Sequence, residues 1–193
     1  MYCGIDEAGR GCIAGSLFIS GVVLDSKFLC SFKNLGIKDS KKLSYENRNV
    51  LSTKIIDFLE SNNGFYLTLS FNSNEIDSKG LSTCLKNALI ALREFAQTHN
   101  SQKIIFDGNT NFGVGGIDTL IKGDSKNVLI AAASILAKCQ KDTEMIEFDK
   151  IYPQYDFKKN KGYLTKSHID SIKQYGLCEI HRKSYHIKSL ESL

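Results

Sequence analysis

The chain has 193 residues, 42% of them hydrophobic and 24% charged, a balance that excludes a disordered or fibrous protein. Its apolar runs fall well short of the roughly 20 residues a membrane span needs, and no basic leader precedes the first of them, so secretion and membrane insertion are set aside and a cytoplasmic protein is expected. The net charge of +4 is gathered at one end: 150–193 carries nine Lys and Arg against four Asp and Glu, while 1–149 carries 16 against 17, which suits either a polyanionic partner or a merely solvated surface.

Residues 2–6 read as a short apolar strand that ends on Asp6 and Glu7. Gly9, Gly11 and Gly15 follow at a loose dinucleotide-loop spacing, but they lead into 16–24, a β-branched and aromatic strand, and not into a helix. That order rejects a nucleotide phosphate loop. Ser44 is the predicted cap of a helix over 44–61, with Leu51, Ile55 and Leu59 on one stripe. Phe65, Leu67, Leu69 and Phe71 then alternate with Tyr66, Thr68 and Ser70, the pattern of a strand with one buried face. A second helix is predicted over 81–98 and a short buried strand over 103–106, running into Asp107-Gly108. A third helix starts near Ser125 and reaches Phe148, and a fourth covers 165–175 and stops at Gly176. Strands first, then helices alternating with strands, imply an α/β fold with a mixed sheet. No linker or repeat divides the chain, so 1–193 reads as a single domain whose part from about 150 onward is basic and helical.

At three places acids stand where the pattern expects apolar residues. On the third helix Asp142 shares a face with Val128, Ala131, Ile135, Cys139 and Ile146. A buried carboxylate there needs a cation or strong donors, so it is either a structural ion pair or a metal ligand. Asp6-Glu7 and Asp107 end apolar strands, the edge of an open α/β sheet where ligands bind, although Asp before Gly is also a common turn former. Carboxylates converging in one cleft repel unless they hold hard cations, and oxygen donors suit Mg²⁺ or Mn²⁺. Paired metals of that kind serve in-line displacement at phosphorus. No His-Glu-x-x-His run, Walker loop or nucleophile elbow is present. The six cysteines are scattered without a Cys-x-x-Cys pair and read as reduced thiols. Cys178, His181 and His186 have the look of half a zinc site, but no second pair of ligands completes it.

Taken together, the motifs resemble type 2 ribonucleases H. Gly4-Ile5-Asp6-Glu7-Ala8-Gly9-Arg10-Gly11 is similar to the opening signature of that family, and Asp39-Ser40-Lys41-Lys42-Leu43 to its basic loop. Asp107-Gly108 resembles its third acid. Lys122-Gly123-Asp124-Ser125 and the run Ile130 to Lys138, followed by Asp142, resemble its long helix and fourth acid. Lys161-Gly162-Tyr163 with Thr165 and His168, then His181-Arg182-Lys183-Ser184-Tyr185, resembles its C-terminal block. Ribonuclease HIII carries an extra N-terminal domain, and here the catalytic strand begins at Tyr2, so bacterial ribonuclease HII is the nearer likeness. Leu164 stands where the family usually has Gly, and Gln140-Lys141 where it has Thr-Arg.

The resemblance implies an RNase H-like mixed sheet flanked by helices, with a helical C-terminal portion over the substrate groove. It implies an endonuclease, active as a monomer, that hydrolyses the RNA strand of RNA–DNA hybrids. Such an enzyme also cuts 5′ of ribonucleotides embedded in duplex DNA, leaving a 5′ phosphate and a 3′ hydroxyl. Asp6, Glu7, Asp107 and Asp142 become the ligands of Mn²⁺ or Mg²⁺. Gly9, Arg10 and Gly11 would read the 2′-hydroxyl in the minor groove. Lys41 and Lys42 would touch phosphates, unless they are simply exposed. Tyr163 would stack on a sugar lacking a 2′-hydroxyl, unless its ring is core packing. His168, His181 and Arg182 are expected to be structural or peripheral phosphate contacts. Two other readings are a non-catalytic binder of hybrid duplexes and a different two-metal nuclease, such as an exonuclease or a Holliday-junction nuclease. Four intact acids speak against the pure binder, which gains nothing from a negative cleft.

Overall fold

A computed structural model describes residues 1–37 and 43–186 of the chain. The pair Lys41 and Lys42 lies outside the described residues. The strands are β1 (Tyr2–Ala8), β2 (Leu17–Leu24), β3 (Phe65–Phe71), β4 (Lys103–Asp107) and β5 (Asp118–Leu120). The helices are α1 (Leu29–Lys33), α2 (Tyr45–Ser61), α3 (Ser73–Lys79), α4 (Leu81–Thr98), α5 (Val128–Ile151), α6 (Phe157–Asn160) and α7 (Lys166–Tyr175).

The sheet is mixed, in the order β3-β2-β1-β4-β5, as the alternation of elements implies. Antiparallel pairing joins β3, β2 and β1, whereas β4 and β5 run parallel to β1. β1 therefore sits at the centre, and it runs further than the sequence suggests. Asp6 and Glu7 lie within the ladder, opposite Ser20 and Ile19, and not beyond its end.

Alternation along β1 sends Cys3 and Ile5 to one face, where the stripe Leu85, Ala88, Leu89 and Leu92 of α4 covers them. Gly4 and Asp6 point to the other face, which α5 covers. Behind α5 lies α2, capped by the Ser44 hydroxyl accepting from Asn47 N–H. Its Leu51, Ile55 and Leu59 pack with Ala132, Ile135, Leu136 and Cys139. Burying a side chain the size of Ile55 or Leu59 contributes about 1.5–3 kcal/mol each. A third apolar cluster of Ile13, Ala14, Met145, Tyr155, Phe157, Ile172 and Ile180 ties α6 and α7 to the far end of α5 and to the loop after β1. The C-terminal portion is thus helical and lies against the glycine-rich loop.

α5 differs in its limits from the predicted helix. Asn127 accepts hydrogen bonds from Leu129 and Ile130 N–H at 2.9 and 3.2 Å, so the helix begins at Val128. Residues 123–125 form a separate short turn before it. Among the described residues no helix is long and apolar enough to cross a membrane.

Candidate active site

Gly4 sets the depth of the site. A Cβ there would lie 2.5 Å from the Leu129 carbonyl carbon, so only glycine lets α5 approach β1 this closely. One turn further along both elements, the approach brings Ser134 to Asp6, whose carboxylate it hydrogen-bonds. Asp6 also accepts from Glu7 N–H at 2.8 Å. Burial foremost, then the charge of Glu7 and, more weakly, that of Asp107, hold the Asp6 carboxyl well above the usual carboxylate range.

Parallel pairing of Ile5 with Phe106 places Asp107 level with Asp6 at the strand ends. Asp107 Oδ1 accepts from Gly123 N–H at 2.8 Å, which draws in the turn carrying Asp124. Oxygen atoms of Asp6, Asp107 and Asp124 all lie within 4.8 Å of one another. Three hard oxygen donors this close, one already pushed toward its protonated form, fit a small divalent cation such as Mg²⁺ or Mn²⁺. Glu7 stands beside them, ion-paired with Arg10 at 2.9 Å.

Asp6, Glu7 and Asp107 open into a cavity of about 200 Å³ whose rim holds Gly9, Arg10, Gly11, Lys138 and Tyr163. Gly9 has φ +95°, and a Cβ on it would sit 2.8 Å from the Ser16 carbonyl oxygen. The loop can turn back toward β2 only with glycine there. Nothing lies within 4 Å of a Cβ at Gly11, so that side of the loop is open to a ligand. Tyr163, at the rim of this cavity, is 44% exposed. Lys138 Nζ stands 5.7 Å from the ring centroid, and burial together with Cys12 pushes the phenol up to about 12.

Asp142 is elsewhere. It lies eight residues beyond Ser134 on α5, roughly 12 Å along the helix axis, and outside the acidic group. Its two oxygens accept from Arg48 Nη1 and Lys138 Nζ, each at 2.6 Å, and the carboxylate is 3% exposed. Two cations already neutralise it, so the structural ion pair is the alternative that the geometry favours and the expected ligand role does not fit. The sequence carried a signal for this pair. Arg48 lies one turn before Leu51 on the apolar stripe of α2, and Asp142 lies on the facing stripe of α5. Opposite charges on two facing apolar stripes mark a buried pair.

Asp124 was the ligand candidate that sequence reasoning missed, although its motif was noted. The missing piece was β5, three residues long, which runs parallel to β4 with Leu120 opposite Asp107. Residues just after Leu120 must emerge at the edge where Asp107 sits. His168, His181 and Arg182 are at most 1% exposed, so none is a peripheral phosphate contact as the structure stands. Cys178 and His181 touch, with Sγ and Nδ1 at 3.0 Å, but the other ring nitrogen of His181 is engaged by His168.

Comparison with known proteins gives a consistent picture. The family model described as Ribonuclease HII matches residues 3–188. The chain is 43% identical over 189 residues to ribonuclease HII of Sulfurovum sp. (strain NBC37-1), covering 98% of this chain and 93% of that one. It is 45% identical over 195 residues to ribonuclease HII of Helicobacter pylori (strain J99), covering 98% and 90%. Among solved structures, ribonuclease H2 of Pyrococcus horikoshii superposes with a TM-score of 0.73 at 29% identity, over 96% of this chain and 93% of that one. Ribonuclease HII of Archaeoglobus fulgidus, solved in complex with PCNA, gives a TM-score of 0.77 at 24% identity, over 95% and 92%. A ribonuclease HIII in complex with Mn²⁺ shares the fold at a TM-score of 0.68 and 18% identity, over 91% and 62%.

Proposed function

The chain belongs to the ribonuclease HII family, and we propose that it is a metal-dependent endonuclease that hydrolyses the RNA strand of RNA–DNA hybrids and cuts 5′ of ribonucleotides embedded in duplex DNA. The products are a 5′ phosphate and a 3′ hydroxyl. One observation carries this reading: carboxylate oxygens of Asp6, Asp107 and Asp124 converge, and Asp6 and Asp107 line a cavity rimmed by an open glycine loop and an exposed tyrosine.

Asp6, Asp107 and Asp124, with Glu7 at their side, are the ligands for Mg²⁺ or Mn²⁺; Asp124 takes the place that sequence reasoning gave Asp142. An Mg²⁺ or Mn²⁺ ion held there would supply Lewis acidity at the scissile phosphate and stabilise the charge on the departing 3′ oxygen. The chain's own groups do the positioning. Ser134 and Glu7 N–H aim Asp6, and Gly123 N–H aims Asp107. Gly9, Arg10 and Gly11 present backbone to the minor groove, where a 2′-hydroxyl can donate and accept. Tyr163 stacks on the following deoxyribose, and Lys138 brings positive charge to the same rim. Lys41 and Lys42 remain proposed phosphate contacts, and the segment 1–193 works as one catalytic domain.

The test is incubation with Mg²⁺ or Mn²⁺ and a DNA duplex carrying one ribonucleotide, with both new ends mapped. A single cut 5′ of the ribonucleotide is expected, stopped by EDTA and restored by Mg²⁺ or Mn²⁺ but not by Ca²⁺, whose looser shell suits an in-line site poorly. An enzyme that still cuts in EDTA, or leaves this duplex intact, defeats the reading.

A further inference from the structure

Arg182 heads the fully buried side chains by size, yet every hydrogen bond it makes among the described residues goes to a neutral oxygen. Its Nε and Nη2 donate to the Gly15 carbonyl at 3.1 and 2.9 Å. Its Nη1 donates to the Arg10 carbonyl at 3.3 Å and to the Tyr185 hydroxyl at 3.0 Å. That hydroxyl in turn donates to the Arg10 carbonyl at 3.2 Å. One guanidinium thus grips both ends of the loop that carries Arg10 and Gly11. A guanidinium can do this because its donors form a rigid planar fork; a lysine ammonium is a point charge on a flexible stem.

The preceding residue reaches the other half of the site. His168 Nδ1 lies 2.9 Å from the Tyr163 carbonyl, which can only accept, so that nitrogen carries the proton. His168 Nε2 then accepts from His181 Nε2–H at 3.0 Å, and His181 Nδ1 accepts from Cys178 N–H at 2.9 Å. The network therefore assigns both tautomers, with both rings neutral. Burial agrees, since it lowers both rings, His181 to about 4.

The segment itself is held from outside the site. Arg182 N–H donates to the Ile13 carbonyl and Gly15 N–H to the Ile180 carbonyl, at 2.8 and 2.9 Å. Asp77, in α3, accepts from Lys183 and Ser184 N–H at 2.8 and 3.0 Å. These backbone ties do not depend on the Arg182 side chain.

We propose that His181 and Arg182, with Tyr185, are positioning residues that hold the Gly9–Gly11 loop and Tyr163 in mutual register, so that the ribonucleotide's sugar and the deoxyribose that follows it are read together. This rests on the reading of the site given above. Neither side chain touches substrate; both act through backbone carbonyls of residues that do.

The experiment compares the full-length wild type with Arg182→Gln, Arg182→Lys and Tyr185→Phe in Mn²⁺. The readouts are kcat/KM on a single embedded ribonucleotide, kcat/KM on a continuous RNA–DNA hybrid, and the rise in Tm on adding Mn²⁺. Arg182→Gln should lower cleavage at the embedded ribonucleotide by about tenfold to a hundredfold, the scale of an ångström-sized misplacement, and lower the hybrid less. The Mn²⁺-induced rise in Tm should stay at the wild-type value, because the acids are untouched. Tyr185→Phe should shift the same ratio by a few-fold, and Arg182→Lys should not restore it. A folded Arg182→Gln enzyme with the wild-type ratio overturns the proposal. Should that variant fail to fold, an unchanged ratio in Tyr185→Phe overturns it instead. Failure of the wild type to cut the embedded ribonucleotide would defeat the underlying reading of the site, a different outcome from either.

Discussion

Asp6 is 6% exposed and Asp142 3%, the first on β1 packed against α5 and the second on α5 itself, yet their surroundings are opposite. Asp6 has Glu7 and Asp107 for neighbours and is driven toward its protonated form. Asp142 has Arg48 and Lys138 at 2.6 Å each. Burial alone does not distinguish a functional carboxylate from a structural one, because both are costly to bury. The sign of the neighbouring charge does. A group that is neutralised within the chain has nothing left for a metal, whereas a group whose neighbours repel it gains from one.

The largest effect should come from Asp124→Asn. Losing one ligand oxygen from the acidic group should lower kcat by about a thousandfold, on the scale of about 4 kcal/mol of transition-state stabilisation. Tm without metal should rise, since one repelling charge is gone, and the increase on adding Mn²⁺ should shrink. Near-normal turnover together with an intact Mn²⁺ response would remove Asp124 from the ligand set.

Asp142→Asn should do the reverse, which is what makes the contrast sharp. Removing the charged partner of a buried pair takes from Arg48 and Lys138 the carboxylate they share, at a cost of about 3 kcal/mol. Tm should fall with and without metal, and the Mn²⁺-induced increment should persist. Denaturant melts of the variant, with and without Mn²⁺, check both statements. If the increment vanished while the metal-free Tm held, Asp142 would be a ligand after all.

A buried base extends the comparison. His181 is lowered to about 4, chiefly by burial and then by His168, and it is packed against Tyr155, Phe157 and Cys178. Its folded value lies below its unfolded value of about 6.5, so its stabilising contribution is complete above pH 6.5 and drains away as pH falls toward 4. Asp6 has the opposite sign: its raised value is a burden at neutral pH that eases on acidification. Between pH 7.5 and 5 the histidine should cost about 2 kcal/mol. His181→Gln should lose correspondingly less over that interval in urea melts, whatever its stability at pH 7.5. Equal losses in the two proteins would place the acid sensitivity elsewhere.

The sequence shows the long elements clearly and the short ones hardly at all. α2, α4 and α5 declare themselves through repeated stripes, and β3 through strict alternation. β5 has three residues and α6 four, too few for any period to emerge. α3 left a local mark, the Asn72 and Glu75 capping box, that a search for stripes passes over. The consequences for the site follow directly. Asp6 and Asp107 were found because they interrupt apolar strands. Asp124 does not stand out in the sequence because its place beside Asp107 depends on where β5 ends, which is a fact of pairing and not of local pattern. Asp142 reads as a ligand while its own stripe is taken alone, because its partner Arg48 lies on another helix.

Tyr163 is where the two regions meet, and it carries the smallest predicted effect. Its ring lines the cavity that holds Asp6 and Asp107, and it also stands 5.7 Å from the Lys138 ammonium that binds Asp142. The Asp142 pair therefore reaches the rim of the cavity through Lys138. If the ring stacks on the deoxyribose after the ribonucleotide, Tyr163→Ala should reduce cleavage at a single embedded ribonucleotide by about tenfold more than on a continuous RNA strand. One aromatic stacking contact is worth about 1–3 kcal/mol, which brackets that factor. Tyr163→Phe keeps the ring and loses the hydroxyl, so its ratio should fall between wild type and Ala. Asp142→Asn, measured well below its Tm, should disturb the ratio less than Tyr163→Ala does, because it frees Lys138 but leaves the ring in place. The quantity to measure is kcat/KM on both substrates for the four proteins. A ratio that Tyr163→Ala leaves unchanged would mean that the exposed ring, though it stands at the rim, does not read the second sugar.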